Sequence, residues 1–184
     1  PDELKAAFGH QLTREDWLAI CGIVETYGKM LFSTPLIAVN EAHPLLQELK
    51  SELEKDGRVF SFLCGHDSNL ASVLGALNVE EYELQNTLEP GTPIGGKLTF
   101  ERYLDAEGKA WYAVSIIYQS TQQLRDRESL SLENPPMKGE IRFEGIEPNA
   151  DGLIAEEDLL NRFQEAIDAF DTLVEDYADA EKAA

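Results

Sequence analysis

The stretch Arg58-Val59-Phe60-Ser61-Phe62-Leu63-Cys64-Gly65-His66-Asp67-Ser68-Asn69-Leu70-Ala71-Ser72-Val73-Leu74-Gly75-Ala76-Leu77 decides the fold class. Its first seven residues form a short apolar run, the pattern of a strand buried on both faces of an α/β sheet. Leu70, Val73, Leu74 and Leu77 then recur at helical spacing with small Ala71, Gly75 and Ala76 between them, which predicts a closely packed helix. His66 and Asp67 are therefore expected where a strand ends and a helix begins. In open α/β sheets ligands bind at that edge, because backbone N–H groups and the helix dipole converge there on an anion. Taken alone, a Gly-His-Asp turn is equally a cap in which Asp67 bonds helix N–H groups. A His so placed can also donate to an anionic oxygen, and the carboxyl beside it can hand a proton to a leaving group.

Upstream, Thr13 followed by Arg14, Glu15 and Asp16 reads as an N-cap with acidic residues in the first turn. Trp17, Ile20, Cys21, Val24 and Tyr27 continue it as a helix ending before Pro35. A second helical stretch runs from about Leu36 to Lys55, where Pro44 either kinks it or starts a new helix and Asp56-Gly57 closes it. Apolar stripes around Trp17 and Phe32 read as core, or as surface that covers a further part of the fold.

Downstream, 96–104 and 110–118 are strand-like runs joined by Asp105-Ala106-Glu107-Gly108, a hairpin with glycine in its turn. A further strand is expected over 139–146 after the Pro135-Pro136 break. The last helix, about 155–177, carries Leu159, Leu160, Phe163, Ile167, Phe170 and Val174 on one face. No internal repeat or linker composition divides the chain.

Composition narrows the function classes. The 184 residues are 43% hydrophobic and 27% charged, ordinary for a globular protein, and a domain of this size buries roughly 70% of its unfolded surface. Lys and Arg number 15 against 35 Asp and Glu, a net of -20, so neither nucleic acid nor an anionic membrane surface is an expected partner. Fourteen of the acidic residues against 3 basic ones lie from Glu140 onward, the pattern of a solvated outer face. Apolar runs such as Val59 to Cys64 fall far short of the ~20 residues of a membrane span. Cys21 and Cys64 have neither CxxC spacing nor a companion His and are expected as buried free thiols, not as a disulfide framework or zinc site. No secretory signal opens the chain, and Pro1-Asp2-Glu3 reads as the middle of a longer sequence. His10 and His43 are expected at the surface.

The segment Glu147, Asn149, Asp151, Gly152, Ile154 and Asp158 imitates positions 1, 3, 5, 6, 8 and 12 of an EF-hand loop. Glu stands for Asp at position 1, Asp for the bidentate Glu at position 12, and Pro148 stiffens the loop. A turn capping the last helix is the simpler expectation, and no metal is assigned.

The run Phe62 to Leu77 closely resembles the second signature of the histidine acid phosphatases. The resemblance continues through Thr92-Pro93-Ile94-Gly95-Gly96-Lys97-Leu98-Thr99-Phe100-Glu101-Arg102, through Tyr118-Gln119-Ser120-Thr121-Gln122-Gln123-Leu124-Arg125, and into Asn149-Ala150-Asp151-Gly152. Several blocks in the right order cover most of the chain. The bacterial glucose-1-phosphatase and phytase branch is most similar, with Thr92 to Lys97 favouring the glucose-1-phosphatase side.

This resemblance implies an α/β fold, part of the three-layer α/β/α domain of the histidine phosphatases (the phosphoglycerate-mutase-like fold), with 1–57 as a portion of a helical subdomain and 58–184 as the C-terminal part of the α/β domain. It implies a phosphomonoester hydrolase working through a phosphohistidine, with no cofactor, acting on a small phosphorylated substrate. By family pattern His66 helps bind the phosphoryl group and Asp67 protonates the leaving alcohol, while Gly65, Ser68 and Asn69 lie beside them and are expected to touch substrate. The family's nucleophile sits in an Arg-His-Gly-x-Arg-x-Pro motif, and here no Arg precedes any His. A site without that nucleophile and its arginines lacks most of what phosphoryl transfer needs, so this chain alone is expected to be inactive and its partner to be an N-terminal part of the same protein. The family's location is periplasmic or secreted. Bacterial relatives carry a disulfide where this chain has Ile146 and Ile154, as expected if packing replaced the bridge. The other class of reading is a binding module or pseudoenzyme that keeps a phosphate-facing turn without the chemistry.

Overall fold

The computed structural model describes residues 8–183, and the side chains of Val174 and Tyr177 in the last helix, like Pro1-Asp2-Glu3, lie outside what it describes. Thr13 starts the first helix, α1 (Arg14–Gly28), through a reciprocal box. Its Oγ1 accepts the Asp16 N–H at 3.2 Å, and the Asp16 carboxylate accepts the Thr13 N–H at 2.8 Å. The Thr13 N–H, together with the Thr13 hydroxyl that donates to the same carboxylate oxygen at 2.9 Å, holds the Asp16 carboxyl below its ordinary range. A π-helical turn (Lys29–Ser33) continues α1, and α2 (Pro35–Leu53) begins with proline at its first turn, where the missing N–H costs nothing. Helix α2 runs unbroken through Pro44.

Helix α3 (Asp67–Ala76) follows, then strands β1 (Lys97–Leu104) and β2 (Ala110–Tyr118), which pair antiparallel from Lys97 opposite Ile117 to Leu104 opposite Ala110. The hairpin turn is closed by Asp105, whose Oδ1 accepts the N–H groups of Glu107 and Lys109 and whose Oδ2 accepts the Trp111 indole N–H at 2.9 Å. Gly108 supplies the positive φ of that turn at 82°. A short helix, α4 (Thr121–Asp126), was not anticipated, nor was β4 (Ile154–Ala155). Strand β3 (Met137–Glu140) and β4 share the second edge of β2, so β2 is central and every strand pair is antiparallel. Helix α5 (Glu156–Ala183) closes the chain.

Alternation sets the core. Tyr112, Val114, Ile116 and Tyr118 of β2 point to one face with Leu98 and Phe100 of β1. They meet Leu159, Phe163, Ala166 and Ile167 of α5, Val73, Leu74 and Leu77 around α3, and Ala42 and Leu46 of α2. Phe100 and Phe163 stack tilted at 5.7 Å. Ile146 and Ile154, where the resemblance placed a bridge, both pack into this core.

Two strand expectations are corrected. Arg58 to Cys64 forms no strand, and its apolar side chains are exposed, Val59 at 98% and Phe60 at 76%. A strand exists only through a neighbour's hydrogen bonds, and no strand among the described residues lies beside this one. The strand expected over 139–146 is β3 alone; beyond Glu140 the chain makes a single bridge, Phe143 opposite Val79, and turns at Gly145.

The stripe of α1 is also not core. None of its residues is fully buried, and Ile23, Val24 and Tyr27 are exposed.

Candidate functional site

His66 is the N-cap residue of α3, extended at φ -113° and ψ 171°, and its carbonyl accepts the Leu70 N–H at 3.2 Å. Its own N–H donates to Asn69 Oδ1 at 2.9 Å. The Asn69 carboxamide thus folds back over the turn, and a Cβ on Gly65 would meet the same oxygen at 2.9 Å. Glycine at 65 is what leaves Asn69 room to hold His66. Asp67 Oδ1 accepts the Ser68 N–H at 2.8 Å, and Ser72 Oγ donates to the Ser68 carbonyl, also at 2.8 Å. His66, Asp67 and Asn69 are exposed, with the imidazole and the Asp67 carboxyl at the positive end of the α3 dipole.

Gly65, His66, Asp67, Ser68 and Asn69 therefore stand together in one turn. The Asn69 side-chain oxygen is bonded to the His66 backbone, and Ser68 is half-buried. Shallow grooves lie instead along the seam of α2 and α5, beside Lys50, Glu54 and Gln164, and do not include His66 or Asp67.

What fixes the helix under this turn was not legible beforehand. At Gly75 a Cβ would come 3.0 Å from Ala38 Cβ and 3.0 Å from Ser33 Cα, so the missing side chain lets α3 press against the π-turn and the start of α2. At the far end Arg162 of α5 donates to the carbonyls of Leu77 at 3.0 Å, Asn78 at 3.4 Å and Glu144 at 2.6 Å. It thereby ties the C-cap residue Leu77 and the chain just beyond α3 to α5 and to Glu144. An arginine on an otherwise apolar helix face was the available signal. The exposed run before His66 is tied down at its start by Glu52, which accepts from Lys55, Ser61 and, at 3.2 Å, Arg58. The Lys55 and Ser61 bonds lead in holding the Glu52 carboxyl below the usual carboxylate range.

The loop between α3 and β1 is fastened to α1. Glu25 Oε1 accepts the Gly91 N–H at 3.1 Å, and the Tyr82 hydroxyl donates to the Gly91 carbonyl at 2.9 Å. Burial, helped by the Glu25 charge, pushes the Tyr82 phenol up to about 12.

Other expectations change with their surroundings. His43 is not surface decoration: it is half-buried, stacked on Phe170 at 4.0 Å, with Nδ1 enclosed and unbonded, because α5 packs across α2 there. Cys64 is exposed rather than buried because the run it ends forms no strand within a sheet, and Cys21 is half-buried. Burial raises the Cys21 thiol, with Glu89 and Glu25 adding to it. His10 is exposed as expected. In the EF-hand-like loop Asn149 Oδ1 accepts the N–H groups of Asp151 at 3.0 Å and Leu153 at 2.9 Å, an Asx turn leading into β4. Among the described residues no group of three or more His, Cys, Asp or Glu side chains could hold a metal ion, and no helix is long and apolar enough to cross a membrane.

Comparison with known proteins gives this geometry its context. No protein-family model matches the chain. It is 35% identical over 173 residues to a glucose-1-phosphatase of Providencia rettgeri, covering 89% of this chain and 40% of that protein. It is 34% identical over 163 residues to phytase AppA of Escherichia coli K12, covering 79% of this chain and 36% of the relative. The phytase of Citrobacter braakii superposes with a TM-score of 0.76 at 27% identity, over 84% of this chain and 42% of that structure. The chain spans about two fifths of the length of the curated relatives it matches.

Proposed function

We propose, from the premise that the chain belongs to the histidine acid phosphatase family and corresponds to a C-terminal portion of its members, that it supplies the proton-donor half of a phosphomonoester hydrolase site. The observation that carries this reading is the turn in which Asn69 fixes His66 and presents its imidazole and the Asp67 carboxyl at the N-terminus of α3. In this reading 1–57 is a portion of the helical subdomain and 58–184 the C-terminal part of the α/β domain, in a periplasmic or secreted enzyme.

The chemistry divides accordingly. A histidine outside this sequence attacks phosphorus, the bond from phosphorus to the ester oxygen breaks, and the leaving oxygen takes the Asp67 proton. His66 donates to a nonbridging phosphoryl oxygen, where negative charge is held through the transition state. Water then attacks the phosphorus of the phosphohistidine and gives its proton to Asp67, and the P–N bond breaks to release inorganic phosphate and the free histidine. Glucose 1-phosphate and inositol phosphates are the substrate classes that the relatives' names suggest, and the Thr92 to Lys97 segment favours the former.

The isolated 184-residue chain is expected not to hydrolyse p-nitrophenyl phosphate. Robust turnover by it, abolished by His66→Ala, would overturn the assignment of the nucleophile to another segment. In the protein isolated from its own cells, Asp67→Asn is expected to slow alkyl phosphates more than p-nitrophenyl phosphate, whose phenolate leaves without a proton. Equal slowing of both would remove Asp67 from the proton-donor role.

A further inference from the structure

Between α2 and α3 the chain is gripped at two points. Glu52, in the last turn of α2, has only 13% of its side chain exposed and gathers donors from three positions downstream. The Lys55 ammonium holds Oε1, while the Arg58 guanidinium, at 3.2 Å, and the Ser61 hydroxyl share Oε2. Ser61 is the one polar residue among Val59, Phe60, Phe62 and Leu63, and it is half-buried while Val59, Phe60 and Phe62 are exposed. The second grip is Asn69, whose Oδ1 accepts the His66 N–H. Both grips belong to one frame. Leu49 and Leu53 of α2 pack against the same core as Val73, Leu74 and Leu77, and at Gly75 helix α3 presses on Ala38 of α2. Only residues 62–65 lie between Ser61 and His66, a span of at most about 18 Å.

We propose that Glu52, acting through Ser61, is a positioning residue for Asp67, a role that rests on the proton-donor function proposed above. Asp67 directly follows His66 at the start of α3. A shift of the incoming chain therefore pulls the His66 backbone against its bond to Asn69 and swings the Asp67 carboxyl with it. Proton transfer to a leaving oxygen needs that carboxyl within about 2.6 to 3.2 Å of it, and small misplacements of a reacting group are costly. A hydroxyl bonded to a carboxylate that two cations orient is a strong and directional tie. With it, four residues separate the two grips; without it, the segment upstream of His66 reaches back to the end of α2.

A nitroxide on Cys64, which is exposed and lies between the two grips, reports on this tether in the 184-residue chain carrying Cys21→Ser. Ser61→Ala and Glu52→Ala are each expected to sharpen its spectrum toward free rotation, the double variant no further than the larger single effect, since both remove one bond. Ser61→Thr, which keeps the hydroxyl, is expected to leave the spectrum as it is. In the protein isolated from its own cells, Ser61→Ala is expected to lower kcat on an alkyl phosphate at least about 10-fold more than on p-nitrophenyl phosphate, with Ser61→Thr restoring it. A contact that only stabilised the fold would slow both substrates alike. Equal slowing by Ser61→Ala, where Asp67→Asn slows the alkyl phosphate selectively, would overturn the proposal, as would a spectrum that Ser61→Ala does not change or an activity that Ser61→Thr does not restore. Equal slowing by Asp67→Asn itself would instead remove the proton-donor role, whatever the nitroxide shows.

Discussion

The Asn69 side-chain oxygen lies 2.9 Å from the backbone nitrogen of His66, and it is the atom that a Cβ at position 65 would displace. One carboxamide therefore couples the choice of glycine before the histidine to the conformation of the histidine itself. Asn69→Ala removes an N-terminal capping bond and is expected to cost about 1 kcal/mol in urea unfolding of the isolated chain. Gly65→Ala pushes away a mobile side-chain end rather than backbone, so its main effect is loss of the same bond. The double variant should then be no less stable than the worse single one. Additive losses would show that position 65 acts through something other than Asn69.

At Gly139 of β3 the crowding is of another kind. A Cβ there would lie 2.2 Å from Leu84 Cδ2, and Leu84 is buried. Gly139→Ala is expected to destabilise by about 1 to 3 kcal/mol through overpacking. Adding Leu84→Ala should recover part of that loss, whereas in the unaltered chain Leu84→Ala alone costs stability. Chemical denaturation of the three variants decides it.

Arg162 bridges three carbonyls from three positions, Leu77, Asn78 and Glu144. Hydrogen bonds from a charged donor contribute about 1.5 to 3 kcal/mol, so Arg162→Met, which keeps the stem, is expected to cost about 2 kcal/mol. Amide exchange should localise the loss to the C-terminal turn of α3 and to 142–146. A loss confined to α5 would contradict the bridging role.

Tyr82 offers a pH test with a defined sign. Its phenol is raised from an ordinary 10.0 to about 12 by burial first and the Glu25 charge second. A group whose folded value lies above its unfolded one stabilises fully below the unfolded value and loses that contribution as pH rises toward the folded one. The stability difference between the unaltered chain and Tyr82→Phe should accordingly hold steady below pH 10 and change between pH 10 and about 12. Burial also raises Tyr112 and Tyr118, so the late phase of phenolate absorbance should lose one tyrosine's amplitude in the variant; a late phase unchanged by Tyr82→Phe would refute the burial.

Features fixed by neighbours in sequence were readable in advance. Thr13 with Asp16, the hairpin around Asp105 and Gly108, and the start of a helix after His66 all depend on residues within a few positions of each other. Helix α4 is marked in the same local way, since Ser120 and Gln123 form the reciprocal box that also starts α1. Strand β4 is not, because two residues become a strand only when Trp111 and Tyr112 lie opposite. The run 59–64 fails in the opposite sense, since a composition suited to a sheet interior cannot make the sheet. His43 shows the same dependence, its burial being decided by Phe170 far along the chain.

The fastening of α3 has a mechanical meaning. Its 10 residues make a rod about 15 Å long, rooted by Arg162 at one end, braced at Gly75, and bearing His66 and Asp67 at its exposed tip. It is a cantilever. Its stiffness is set at the root, so loosening Arg162 widens the arc swept by the imidazole without touching a single atom of the tip.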